Sequence, residues 1–594
     1  MQIFYFSNSL NKQNNLADIR GRFREHPAIE GSNFRVNIFS WGQNQSLVRA
    51  QQDFVTAIGV FIYKGAWNKP ALELFLADAA VGDLVTILRE CRGQFFLVLR
   101  LKGQIYFITD KMASVPVYVY EKAGVLELSN VFLPLAKNNR CSINHQAMAE
   151  YLLKFVGYYK TLLNEIATLS RGSIYTFSGS RLERREYFDL FEGVCLGSKQ
   201  DFDEVVEEAR SVLINNLSFL DRNDKVNFDI TGGFDTRTNL AIALHRGVRP
   251  AVGCVANASK DRLNDGLIAG QIAEKFNLDF NSFSCDGISA QEYEDKQGLA
   301  YLVAANSRYG YGGSLRHYRR TAYYAFLGGK YGINVSGLLG SELLTPYEYW
   351  QYAASHRRFD LDEFIRDCYP YYDIFKLSCV TKESYCAGIK KFFTTILQDR
   401  PFDRWQDLLT YFEYRAFCYN DFFKYVGMAN CFIPFYTPFH EAETVRLALR
   451  IPYRFKMRYK IERIIIDSLN KELARIETTH GYPAAVISVG NFYRFTRLFY
   501  NFYPYGPWKG IKGALVSHLK KCGAVHHLAE KKHKAVDRFE PELDSHMPIF
   551  TIIDFEKARK IGAVNTKYSP HEVKYSMADR LWGLNKLFCD IGVL

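Results

Sequence analysis

The segment Val226-Asn227-Phe228-Asp229-Ile230-Thr231-Gly232-Gly233-Phe234-Asp235-Thr236-Arg237 constrains the fold more than any other part of the chain. A short run of strand-forming residues stops at two adjacent glycines, and a helical pattern resumes a few residues later. Paired glycines let the backbone turn tightly and aim successive N–H groups at one point, and the helix start that follows adds the positive end of its dipole. That is how a phosphate cradle is built. Thr231 and Thr236 then offer hydroxyls to phosphate oxygens, Asp235 a hard oxygen ligand for Mg²⁺, and Arg237 a cation of the right sign. The same residues also suit an ordinary Gly-Gly turn with an Asp cap, and Arg237 a surface salt bridge. The spacing is not that of G-x-x-x-x-G-K-[ST], so this is not a Walker loop.

The neighbours of the segment extend the pattern. Phe202, Val205, Val206, Ala209, Val212, Leu213 and Leu217 recur at helical spacing after Asp201. Downstream the sequence predicts a helix near Thr238 to Arg246, a strand from Ala251 to Val255, a helix near Asp265 to Phe276 and a strand at Ile333 to Ser336. Alternating β and α elements predict a parallel sheet with right-handed crossovers. Residues 351 to 480 are mainly helical in pattern. Upstream, to about residue 190, short β-type runs dominate, among them a hairpin of Phe95 to Leu101 and Gln104 to Thr109 across Lys102-Gly103, and runs at Pro116 to Tyr120, Val125 to Leu128 and Ser173 to Phe177. The chain of 594 residues is thus expected to be a multidomain α/β and α+β protein: residues 1–192 as packed sheets, 200–490 as the parallel-sheet part, and 491–594 as an extension packed on the latter.

Composition narrows the partners. Lys plus Arg exceeds Asp plus Glu by 75 − 63 = 12, which suits anionic ligands but is too dispersed for nucleic-acid binding. The 12 Cys contain no Cys-x-x-Cys pair, so neither a zinc ribbon nor a secreted disulfide framework is expected. No apolar run approaches the roughly 20 residues that span a bilayer, and the first residues lack the basic-then-apolar order of a leader. A cytoplasmic protein without a membrane partner is the expectation.

The Thr231 to Thr236 turn resembles the S-G-G-x-D-S pyrophosphate loop of the asparagine synthetase family, with Thr at both Ser positions. Arg92-Gly93-Gln94-Phe95-Phe96, Asp110-Lys111, Pro116-Val117-Tyr118, Ser129 and Ser170-Arg171-Gly172 resemble that family's amino-terminal module, a glutaminase of the N-terminal-nucleophile type. Ser336-Gly337-Leu338-Leu339-Gly340-Ser341-Glu342-Leu343 falls where the family has S-G-x-G-x-D-E-L. Thr437-Pro438-Phe439-His440-Glu441, Leu447 to Pro452 and Lys460 fall in its P-F-L-D to K-x-x-L region. The resemblance covers roughly residues 50 to 480. It implies a glutaminase-like αββα sandwich followed by an ATP pyrophosphatase domain of the adenine nucleotide alpha hydrolase type, with a helical carboxy-terminal part. It also implies ATP and Mg²⁺ as cofactors, and a carboxylate activated as its adenylate for capture by ammonia or an amine. Thr231, Gly232, Gly233, Asp235, Thr236, Arg237, Ser336 and Gly337 would hold nucleotide, with Asp235 on the metal, and Lys460 and Glu342 would be catalytic. Under a small register shift Arg458, Arg463 or Lys456 would replace Lys460, and Glu342 would equally serve as a helix cap.

Two departures qualify the resemblance. Gln2 stands where the family's glutaminase has its nucleophilic Cys, and the family's N-G-E-x-Y-N segment is matched at best by Lys64-Gly65-Ala66-Trp67-Asn68, so glutamine hydrolysis is not expected. Leu338 and Ser341 stand where the synthetase site has acidic residues. The expected activity is therefore an adenylate-forming amide ligase taking ammonia or an amine, from a separate ammonia source or within a homodimer. The alternative is a catalytically degenerate relative that binds nucleotide or acts as a scaffold. The aromatic cluster Phe499, Tyr500, Phe502, Tyr503, Tyr505 and Trp508 is expected to pack, and His526, His527 and His533 to form a basic surface rather than a metal site.

Overall fold

The computed structural model describes residues 2–9, 16–31, 33–41, 47–153, 161–221, 225–255, 264–283, 298–303, 315–345, 349–397, 402, 404–418, 425–495, 543–561 and 577–594. The strands in chain order are β1 (Gln2–Ser7), β2 (Arg24–Glu25), β3 (Ile29–Gly31), β4 (Phe34–Ser40), β5 (Leu47–Ala50), β6 (Asp53–Tyr63) and β7 (Ala66–Trp67). They continue as β8 (Arg92–Leu101), β9 (Gln104–Thr109), β10 (Tyr118–Lys122), β11 (Val125–Ser129), β12 (Ile166–Thr168), β13 (Ser173–Ser178) and β14 (Arg181–Glu186). The parallel set is β15 (Val226–Asp229), β16 (Ala251–Val255), β17 (Phe280–Phe283), β18 (Ile333–Val335) and β19 (Phe435–Tyr436).

The first fourteen strands make two antiparallel sheets of seven, ordered β12-β10-β11-β1-β4-β2 with β3 on β4, and β14-β13-β9-β8-β6-β5 with β7 on β6. The two-residue period of a strand divides their side chains between layers. In β1, Phe4 and Phe6 face the core between the sheets, with Phe96, Phe107 and Leu128, while Ile3 and Tyr5 join the core on the other side. That core also holds residues of the helices Phe132–Asn138 and His145–Leu153, while Lys69–Val81 and Leu84–Glu90 cover the outer face of the second sheet. The expected hairpin is present, and Lys102 and Gly103 both have positive φ, as the tightest hairpin turn requires.

The remaining strands form a five-stranded, all-parallel sheet ordered β17-β16-β15-β18-β19. Chain order runs outward from β15 to one edge, then returns to β18 on the other side. β15 and β18 therefore flank a topological switch point, where a parallel sheet leaves a crevice beyond the carboxyl ends of its strands. Helix Asp235–His245 begins earlier than the sequence pattern placed it, directly from the glycine turn.

The antiparallel and parallel parts interlock through side chains that imitate sheet pairing. Gln94 on β8 donates to the Thr437 carbonyl over 2.6 Å and accepts from the Thr437 N–H over 2.8 Å. The N–H of Gly93 donates to Glu441 over 3.0 Å. In the carboxy-terminal region Phe375 pairs with Ile553 and Lys376 reaches the Phe550 carbonyl, but Arg580 donates to the carbonyls of Tyr151 and Leu152. The extension therefore packs on the amino-terminal part as well as on the 200–490 part to which the sequence reading assigned it. The cluster Phe499 to Trp508 and the histidines 526, 527 and 533 lie outside the described residues. Among the described residues no helix is long and apolar enough to cross a membrane.

Candidate functional site

Two turns meet at the switch point: Ile230 to Phe234 after β15, and Ser336 to Leu339 after β18. Their approach is close enough to exclude side chains. A Cβ on Gly337 would lie 2.5 Å from the Thr236 nitrogen, and one on Gly340 would lie 2.7 Å from the Asp235 carboxyl carbon. Leu339 between them has φ 77°, a left-handed conformation costly for a leucine, at the position where the resembling family has its second glycine.

Asp235 is the centre of the arrangement. Ser341 Oγ donates to both its carboxylate oxygens at 2.8 Å. Glu462, from the first turn of helix Lys460–Leu469, lies within hydrogen-bonding reach on the other side. Burial raises both carboxyls above their usual range, and the Asp235 charge raises Glu462 further. Glu462 Oε1 is buried without a hydrogen-bond partner, and Thr345 reaches Oε2 at 3.4 Å. Glu342, in the first turn of helix Gly340–Leu344, adds its charge to Glu462. Carboxylates so placed, with an orphaned oxygen, fit a hard divalent cation such as Mg²⁺. Ser341 and Glu462 thus flank Asp235 on its two sides.

The expected nucleotide-binding residues divide into two groups. Thr231, Gly232, Gly233, Asp235, Thr236, Ser336 and Gly337 do come together at the switch point. Ser336 Oγ supports the Leu338 N–H at 3.4 Å, and Asn239 reaches the Ser336 carbonyl at 2.9 Å. The turn's N–H groups, however, are engaged within the chain. Thr236 Oγ1 accepts from the Thr231 nitrogen at 3.1 Å, Thr231 Oγ1 from Gly233 at 3.2 Å, and Asp265 Oδ1 from Gly232 at 2.8 Å. Thr479 covers Gly232, donating its N–H to the Gly232 carbonyl at 3.0 Å.

Arg237 and Lys460 do not join this site. Arg237 is fully buried and turned away, donating to the carbonyls of Leu473, Ile476 and Glu477. It faces away because helix Asp235–His245 begins one turn sooner than expected, and its guanidinium instead caps the end of helix Lys471–Arg475. Lys460 is exposed, with Nζ 3.7 Å from the centre of the Phe202 ring. Arg458 and Tyr459 both take positive φ just before it, which rotates the helix start so that Glu462 rather than Lys460 faces Asp235. Of the alternatives, Lys456 is buried against the Ala448 carbonyl, and Arg463 lies beside Phe495. Glu462 was not anticipated; its only sequence signal is a lone acid amid cations.

In the antiparallel part Gln2 sits in β1 opposite Ser40. The Lys64 to Asn68 segment is a closed hairpin turn, with Lys64 bound to Asp78 at 2.8 Å and Asn68 pairing with Phe61. Those polar groups are committed locally.

No protein-family model matches this chain, and no curated protein matches its sequence. Among solved structures it is similar to one described as the allosteric regulatory enzyme of purine biosynthesis, at 8% identity over 44% of this chain and 67% of that chain, with a TM-score of 0.24. It is also similar to glutamine phosphoribosylpyrophosphate amidotransferase from B. subtilis complexed with ADP and GMP, at 8% identity over 57% of this chain and 81% of that chain, with a TM-score of 0.23. Likenesses this distant carry no functional argument.

Proposed function

We propose that this chain is an ATP-dependent, adenylate-forming amide ligase that activates a small-molecule carboxylate and couples it to ammonia or an amine, without hydrolysing glutamine itself. The observation that carries the reading is the buried Asp235–Glu462 pair at the switch point between β15 and β18, beside a glycine turn that opens a helix. In the reaction a substrate carboxylate oxygen attacks the α-phosphorus of ATP, and the bond to pyrophosphate breaks. The amine nitrogen then attacks the acyl carbon, AMP leaves with the electron pair, and the amine loses a proton. Thr231 and Thr236 orient the phosphates and Glu342 accepts the amine proton. Asp235 and Glu462 would hold Mg²⁺, which when bound would supply positive charge against the phosphates. The sandwich of antiparallel sheets is read as glutaminase-like but inactive as a glutaminase, with ammonia drawn from a separate source or a second copy of the chain.

A second reading, a degenerate relative that binds nucleotide or serves as a scaffold, is favoured by Asp265 on the Gly232 N–H and by the diversion of Arg237 and Lys460. One experiment separates the two. ATP binding with and without Mg²⁺ is measured by calorimetry for the wild type and Asp235→Ala, and AMP and pyrophosphate are assayed with a panel of carboxylates plus ammonia. Metal-dependent binding lost in the variant, with pyrophosphate release, supports the ligase. Binding without turnover on any carboxylate, or no binding by folded protein, supports the degenerate reading.

A further inference from the structure

We propose that His356, Glu363 and Asp367 form a second metal site, for a borderline divalent transition ion of the Zn²⁺ class, separate from the Asp235 cluster. Helix Trp350–Ser355 ends at His356, and the chain turns into helix Leu361–Cys368, whose start is fixed by Asp360 accepting from the Glu363 N–H at 2.8 Å. Glu363 and Asp367 are four residues apart and share one helix face. One ligand atom from each of the three residues lies within 4.8 Å of the others, and no other group of three or more such residues does so among the described residues.

The histidine is oriented as a ligand is. Its Nδ1 lies 3.0 Å from the Tyr352 carbonyl, which can only accept, so Nδ1 carries a proton and Nε2 is the ring nitrogen turned toward the acids. The ring is held flat against Tyr352, with centroids 4.0 Å apart. Nε2 points between the carboxylates, 3.8 Å from Glu363 Oε1 and 3.9 Å from Asp367 Oδ2. Those gaps are too long for hydrogen bonds and about half an ångström wider than the separation of ligands around a tetrahedral Zn²⁺ with bonds of about 2.0–2.1 Å. Arg366 reaches Asp367 through Oδ1 and Glu363 through Oε1 at 3.1 Å. Arg366 is 65% exposed and free to swing aside when a divalent ion neutralises the two acids. One imidazole with two carboxylates suits Zn²⁺ or Co²⁺ better than Mg²⁺, which prefers oxygen alone. Three protein ligands leave a position for water on the side where Glu363 is 37% exposed. The bound ion would clip the two helices together.

The test is Co²⁺ titration of the metal-stripped full chain, read by its d–d absorption, for wild type, Asp235→Asn, His356→Gln and Asp367→Asn. Wild type and Asp235→Asn are expected to develop the band at one equivalent. His356→Gln and Asp367→Asn, each checked for folding by circular dichroism, should lose about 100-fold in affinity. Zn²⁺ should compete the band away and raise the Tm of wild type but not of His356→Gln. A band unchanged in a folded His356→Gln or Asp367→Asn variant, or no band in folded wild type, overturns the proposal.

Discussion

The backbone N–H of Gly232 donates to Asp265 Oδ1 over 2.8 Å, so a carboxylate of the chain itself occupies the place where the glycine turn would present that donor to a phosphate. Asp265 is largely buried, and burial raises its carboxyl against the lowering effect of this hydrogen bond. Asp265→Ala frees the N–H and removes a negative charge from the approach. ATP binding measured by calorimetry is expected to tighten about tenfold, the effect of roughly 1.4 kcal/mol. Unchanged affinity would mean that phosphate never meets Gly232.

Glu462 is expected to link stability and Mg²⁺ binding in opposite senses. Its folded pKa is raised, so the stability tied to its neutral form is complete below the ordinary glutamate range and is lost as pH rises through the folded value. Glu462→Gln keeps the neutral shape. The variant should match wild type at pH 4 and exceed it by about 1 kcal/mol above neutrality in urea unfolding, while binding Mg²⁺·ATP at least tenfold more weakly. Mg²⁺ binding by wild type should release a proton, seen as a calorimetric heat that varies with the ionisation enthalpy of the buffer.

His440 gives the opposite pH signature. Burial lowers its imidazole to about 3, and Ser114 Oγ lies 3.2 Å from its Nδ1. A depressed folded value means stability complete above about 6.5 and lost as pH falls toward 3. Acid unfolding of His440→Asn, followed by fluorescence, should start from a lower plateau and show a shallower slope across that window. Equal slopes would remove His440 from the acid transition.

Arg237 and Lys460 are both cations beside the motif, yet their substitutions should differ sharply. Arg237→Ala strands three carbonyls in the core and should cost about 3 kcal/mol or more. Lys460→Ala loses one exposed cation–π contact with Phe202, worth under about 1 kcal/mol, and should leave pyrophosphate release unchanged. A large loss of turnover in Lys460→Ala with unchanged stability would return that lysine to the chemistry.

What the sequence disclosed and withheld follows from the range of the forces involved. The β8–β9 hairpin was legible because Lys102-Gly103 and alternating apolar residues are local signals. The parallel order was legible as β/α alternation, and the meeting of the Thr231 and Ser336 turns followed from the motifs of the resembling family. The side to which Lys460 points was not, because Arg458 and Tyr459 adopt left-handed conformations with no glycine or asparagine to announce them. Nor was Glu462, whose partnership with Asp235 spans more than two hundred residues and is decided by the rotation of one helix. Asp265 was read only as a helix start, since nothing local reveals that a distant backbone N–H needs an acceptor.

The reciprocal pairing of Gln94 with Thr437 has a further consequence. Thr437 also donates its hydroxyl to the Leu338 carbonyl at 2.6 Å, so the antiparallel sheet braces the turn that presses on Asp235. A truncation that discards the first sheets would strip that brace and open the flank of β19 to water. The amino-terminal third is a foundation wall for the site beside it, a mechanical role that asks for no chemistry of its own.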